Sequence, residues 1–139
     1  IFFQILYGAF VSGTDSGLLY NTWPFYNGNV IPGDLIIQNR YLYSFFESKE
    51  FILFFHRTFA FILLFVIIFL NFIIFNKDSK YETLILIISF DAVFLIQGGI
   101  GVLMTFLNIP WYLALAHQGN SIILFLLSIY MYVLSKKSS

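Results

Sequence analysis

Three residues have the types and positions to do chemistry inside an otherwise apolar chain. His56 and Arg57 interrupt the run Phe51–Phe75, FILFFHRTFAFILLFVIIFLNFIIF, and His117 interrupts a second run, Tyr112–Leu134. Ionisable groups within membrane spans are costly and mark functional sites by default. At 1.5 Å per residue, His56 lies about 7–8 Å along a helix from Phe51, and His117 stands similarly near the start of its own run. Two neutral imidazoles on facing helices are the usual way of holding a haem iron from both sides. The competing reading is that each imidazole only hydrogen-bonds within a helix bundle. A zinc site is disfavoured, because a structural site wants four ligands and the chain has two histidines and no cysteine.

Adjacent helical residues point about 100° apart, so Arg57 and His56 cannot both aim at one iron. Arg57 suits a carboxylate at the membrane edge, such as a haem propionate, or it snorkels to the interface. Gln97, Gly98, Gly99 and Gly101 cluster in a third apolar run. Glycines there allow close approach of another helix or of a flat ligand, and Gln97 has a carboxamide to offer either one. Asp91 lies about 13 Å along the same helix from Glu82, near mid-membrane. A carboxyl at that depth is expected to be neutral and hydrogen-bonded; the sequence names no partner for it.

The elements that must position these groups follow from composition. Hydrophobic residues make up 60% of the 139 and charged residues 10%, against roughly 25% in soluble domains. The chain is therefore read as a polytopic membrane protein. A formal net charge of zero gives no electrostatic case for nucleic acid. The absence of cysteine excludes disulfides, thiolate sites and C-x-x-C-H haem attachment.

The expected fold class is all-α, a membrane four-helix bundle whose first helix is truncated. Residues 1–12 are too short to span a hydrocarbon core of about 30 Å and read as the end of that helix, which makes the sequence a C-terminal piece. Residues 13–50 read as an extracytoplasmic loop, ordered rather than floppy because it is rich in aromatics such as Tyr20, Trp23, Phe25 and Tyr26. A short interfacial helix within Leu35–Phe46 is a further expectation. Spans follow at 51–75, 82–107 and 112–134, with a polar turn at Asn76–Lys80 and a break at Asn108-Ile109-Pro110. Lys77, Lys80, Lys136 and Lys137 then share one face, which the positive-inside rule assigns to the cytoplasm or an organelle matrix. The loop, His56 and His117 fall toward the other face.

Three blocks carry a family resemblance: GAFVSGTDSGLLYNTWPFYNGNVIP (Gly8–Pro32), FFHRTFAF (Phe54–Phe61) and LIQGGIGVLMTFLNIPWYLALAHQGNSIILF (Leu95–Phe125). In order, they resemble the C-terminal half of the haem A synthases, whose pattern runs close to GA-x-VAG-x-x-AG-x-x-YNT-[FW]-P, then HR, then LQ-x-x-LGI, then LP-x-x-x-A-x-x-HQ. The resemblance implies one of two pseudo-symmetric four-helix halves of an eight-helix enzyme. That enzyme oxidises the C8 methyl of haem O, its substrate, to the formyl of haem A for terminal oxidases. It further implies that His56 and His117 are axial ligands of a haem b, with Arg57, Gln97, Gln118 and Trp23 as candidate cofactor-binding residues around it. The family's substrate half, with its glutamate, would lie outside this sequence, so no catalytic residue is assigned and this piece alone should be inactive. Lipid and haem are the expected partners, with haem O synthase and oxidase assembly factors as candidates and homo-oligomerisation left open. The departures are Gly98-Gly99, where larger residues are common, and Asp91, which has no family role. The same histidine pair also fits a membrane cytochrome that only carries electrons, and the apolar runs alone fit a haem-free structural or transport bundle.

Overall fold

The computed structural model describes residues 1–36, 46–75 and 81–137. Over these it is all-helical: α1 (Phe2–Gly13), α2 (Lys49–Phe75), α3 (Tyr81–Phe106) and α4 (Trp111–Lys137). α2, α3 and α4 are each long and apolar enough to cross a membrane; α1 is a shorter apolar helix. The expected turn at 76–80 lies outside the described residues, and so do most of the expected interfacial helix and the basic residues Lys77 and Lys80. The described start of that stretch is a 3-10 turn, Gly33–Ile36.

Local chemistry sets the helix ends. Ser48 caps α2: its Oγ accepts from the Phe51 N–H at 3.3 Å and donates to Glu50 at 2.9 Å, satisfying one orphan amide. Glu50 and Glu82 put acidic charge in the first turns of α2 and α3, where the helix dipole favours it. α1 stops where Asp15 turns left-handed, at φ 55°, a conformation Asp tolerates better than most residues. α3 stops at Asn108 and Ile109, both left-handed at φ 55° and 54°, and Pro110 then opens α4. A β-branched residue seldom adopts that backbone. Ile109 does so while its side chain packs on Gly17, where an added Cβ would fall 2.5 Å from Ile109 Cδ1. This contact docks the turn before α4 against the turn after α1.

The helices form two close pairs, α1 with α2 and α3 with α4. α2 touches α3 less extensively, and the Phe2 and Phe125 rings meet at 6.2 Å between α1 and α4. Few side chains are buried: among the described residues, Ile52, Leu53, Ile87, Phe90 and Leu124 are the buried apolar ones on the helices. Large apolar side chains cover the outer faces instead, for example Phe65, Phe69 and Phe72 along one face of α2. Such a surface suits lipid. With no water to drive helices together, packing and interhelical hydrogen bonds must hold the bundle, each bond worth about 0.6–2 kcal/mol. At least one such bond links each successive pair. Gln4 meets His56 between α1 and α2, Asn71 meets Asp91 between α2 and α3, and Asn120 meets Gln97 between α3 and α4.

The described part of the loop is ordered by short-range chemistry. Asn27-Gly28 forms a tight turn with φ positive at both residues, closed by Tyr26 N–H to Asn29 O at 2.8 Å and the reciprocal bond at 3.1 Å. Asn-Gly is the preferred pair for that geometry. Thr22 braces the turn by accepting from Asn27 N–H at 2.9 Å and donating to Phe25 O at 2.8 Å. Pro32 and Ser16 are fully buried where the loop sits on the helices.

Candidate functional site

His56 lies seven residues into α2 and His117 six residues into α4. At 1.5 Å per residue both sit about 9–10 Å from the start of their helices. Each ring is half-buried. No group of three or more His, Asp or Glu side chains that could hold a metal ion comes together among the described residues. The donor set at this level is therefore the two imidazoles.

Each imidazole rests on a glycine of the preceding helix. A Cβ on Gly8 of α1 would lie 3.3 Å from His56 Cε1, and a Cβ on Gly101 of α3 would lie 3.1 Å from His117 Cε1. Ordinary carbon contacts are about 3.5–4.0 Å, so a Cβ at either position would press on the ring and require it to give by a few tenths of an ångström. Gly98 and Gly99, expected to permit close approach, are exposed, with nothing within 4 Å of a Cβ built on them. The close approach in this stretch is made by Gly101 alone, because it is the glycine that faces α4.

The second atoms around the rings differ. Gln4 Nε2 donates to the His56 carbonyl at 3.0 Å and lies 3.3 Å from His56 Nδ1, while Gln4 Oε1 is buried without a partner. His117 Nδ1 is also buried without a hydrogen bond. The Gln97 side chain turns to α4, where Oε1 accepts from Asn120 Nδ2 at 2.8 Å. Of the two roles open to Gln97 from the sequence, the structure displays the helix-to-helix bond.

Arg57 neither snorkels nor faces solvent; it is 8% exposed. Nη1 donates to Thr22 O at 3.0 Å and Nη2 to Tyr20 O at 3.2 Å, and the guanidinium carbon stands 4.9 Å over the Tyr26 ring. It pins the loop onto α2 one residue after His56. Three of its five N–H donors are not used by these two bonds. Burial pushes the Tyr26 phenol up from its ordinary range, and Arg57 offsets part of that rise. Trp23 stacks on Phe61 of α2 at 5.8 Å and 23° between planes, one turn beyond Arg57. Gln118 is exposed, turned about 100° around α4 from His117. The structure thus brings His56, His117, Arg57 and Gln97 to one end of the bundle, with Trp23 at its margin and the Gln118 side chain directed elsewhere.

Asp91 has a partner after all: Asn71 Nδ2 donates to its Oδ2 at 2.7 Å, and Oδ1 is buried unpaired. The residues that sequence reasoning missed are Gln4, Gly8, Asn71 and Asn120. Gln4 and Gly8 sit in a run read only as a helix remnant. Their signal was the spacing Gln-x-x-x-Gly, which recurs at Gln97 and Gly101.

Comparison with known proteins decides the family. The COX15-CtaA profile, described as cytochrome oxidase assembly protein, matches residues 1–129. The chain belongs to the COX15-CtaA family. It is 39% identical over its whole length to a heme A synthase of Pelagibacter ubique, of which it covers 40%. It is 38% identical over 88% of its length to that of Rhizobium rhizogenes, covering 34%, and 34% identical over its whole length to that of Wolbachia pipientis, covering 38%. The chain thus spans about two fifths or less of these relatives. No solved structure matches it significantly.

Proposed function

We propose that this chain is the C-terminal, haem-holding half of a haem A synthase, an integral membrane oxidoreductase that converts haem O to haem A for terminal oxidase assembly. The observation that carries the reading is the matched pair of imidazoles, each seated on a glycine at one depth of the bundle. Such a pair fits a haem b. A haem iron held from both sides needs one such ligand from each of two facing helices. His56 and His117 would hold its iron. When bound, the haem supplies one-electron chemistry, relaying electrons to or from a substrate site in the part of the enzyme outside this chain.

The chain's own residues then have distinct tasks. Gly8 and Gly101 fix the planes of the imidazoles. Arg57 holds the loop down over this end of the bundle, excluding water, and its remaining N–H donors suit a propionate carboxylate. Trp23 adds apolar cover beside α2, and Gln97 ties α3 to α4 through Asn120. Asp91, deep in the bundle and bonded to Asn71, serves packing. With Lys136 and Lys137 on the cytoplasmic or matrix side, the site lies toward the opposite face of a bacterial or mitochondrial inner membrane.

The test is optical. The full-length protein, purified in detergent, should give a reduced-minus-oxidised band of a six-coordinate b-type haem, and His56→Ala and His117→Ala should each remove it. A well-folded protein without that band would end the haem reading. A band present together with no conversion of haem O by the complete enzyme would leave an electron-carrying cytochrome in place of a synthase.

A further inference from the structure

The two imidazoles are held by one repeated device whose second halves differ. On α1, Gln4-x-x-x-Gly8 faces His56; on α3, Gln97-x-x-x-Gly101 faces His117. Both glycines lie five residues before the ends of their helices, Gly13 and Phe106. Residues four apart share a helix face, so each glutamine stands one turn below its glycine, beside the same ring. In the first unit the glutamine side chain reaches the histidine; in the second it is drawn off by Asn120.

We propose that Gln4 is a positioning residue that sets the tautomer and donor strength of His56, a control that His117 lacks because the matching glutamine, Gln97, is bonded to Asn120 instead. The inference rests on the haem reading for its second half only. As the Gln4 amide stands it can only donate, so a hydrogen bond at this 3.3 Å contact requires His56 Nδ1 to accept and the ring proton to sit on Nε2. The opposite amide orientation would set Gln4 Oε1 against the His56 carbonyl oxygen, two acceptors about 3.0 Å apart. The carbonyl thus selects the orientation observed and strands Oε1 in a buried position without a partner.

Ligation through Nε2 requires the ring proton on Nδ1 instead. The proton lost from Nε2 is matched by one gained at Nδ1, so the ring stays neutral. A half-turn of the Gln4 carboxamide, a broad two-fold rotor, would bring Oε1 to Nδ1–H and satisfy the stranded oxygen; because the same turn sets Oε1 against the His56 carbonyl, it is favoured only in the Nδ1–H tautomer, where the new bond offsets that contact. The His56 carbonyl lies inside α2 and keeps its helical partner, so losing the Gln4 N–H does not leave it unsatisfied. An acceptor on Nδ1–H makes the imidazole a stronger donor and favours ferric iron.

The experiment has two arms on the full-length protein. In haem-free protein labelled with 15N-histidine, the His56 signal, assigned by its loss in His56→Ala, should report the Nε2–H tautomer, and Gln4→Met should shift it toward a mixture. In haem-loaded protein, Gln4→Met should raise the midpoint potential of this haem and Gln4→Glu should lower it. A merely structural role would move both the same way or neither. An Nδ1–H tautomer in the haem-free protein, or shifts of one sign, would overturn the proposal. If Gln4→Glu fails to fold, the methionine variant and the tautomer arm decide. If wild-type protein binds no haem here, the haem reading falls, and the tautomer arm alone still supports or refutes Gln4's control of His56.

Discussion

Gly101→Ala sets two opposing effects against each other, and the geometry says which wins. In a helix interior the change should stabilise by about 0.5–1 kcal/mol, since glycine is the costlier residue there. At this position the new Cβ falls 3.1 Å from His117 Cε1 and 3.6 Å from Nδ1. That is about 0.4–0.9 Å inside a comfortable carbon contact. Without haem the imidazole can rotate away, so the haem-free protein should melt at or slightly above the wild-type temperature. With haem the ring must return to its seat, and overpacking of this kind costs about 1–3 kcal/mol. The helix gain is common to both states and cancels from affinity. Haem affinity should therefore fall about 5- to 150-fold, taking 1.36 kcal/mol per tenfold. The assay is spectrophotometric haem titration of haem-free full-length protein, with Gly98→Ala and Gly99→Ala as controls that meet nothing within 4 Å. Wild-type affinity in Gly101→Ala, or equal losses in the controls, would refute the seat.

Other consequences concern the supports of the site. Arg57→Ala removes two bonds from a charged donor to loop carbonyls. At about 1.5–3 kcal/mol for each such bond, residues 20–27 should exchange amide hydrogens several-fold faster or more, and Arg57→Lys should fall between. Asn71→Leu leaves both Asp91 oxygens unpaired in the bundle and should cost about 1–3 kcal/mol. The double variant Asn71→Leu/Asp91→Leu should recover most of it, and a thermodynamic cycle in detergent measures the coupling. The Tyr26 phenol is raised when folded, so its neutral form is the one the fold favours. Its contribution is complete below the unfolded value of about 10 and is lost as pH rises toward the folded value. Loop protection should drop above about pH 10 in wild type, and Tyr26→Phe should remove Tyr26's share of that dependence.

The helical class and the level of the two histidines were legible because lipid imposes simple rules. Long apolar runs must close their backbone bonds as helices, and two runs in the same direction put His56 and His117 at one depth. The expected third span at 82–107 is observed as Tyr81–Phe106. What the sequence did not disclose is which face of each helix turns inward. Composition marked Gly98-Gly99 as conspicuous, yet only Gly101 lies beneath a ring. Gln4 was hidden in a segment read only as the end of a truncated helix. Arg57 read equally as a propionate partner or a snorkelling residue, because the loop carbonyls that bind it come from 35 and 37 residues away. Asp91 had no visible partner for a similar reason: Asn71 lies 20 residues upstream on another helix. Pairings across helices depend on rotation about each axis, which apolar runs leave nearly unspecified when every face is hydrophobic.

The central claim is that His56 and His117 grip one haem from opposite sides. Low-temperature electron paramagnetic resonance of the oxidised full-length protein tests it most directly. The account predicts a low-spin ferric signal from bis-imidazole ligation that disappears, or converts to high spin, in His56→Ala and in His117→Ala alike. A low-spin signal that survives intact in either variant would contradict it.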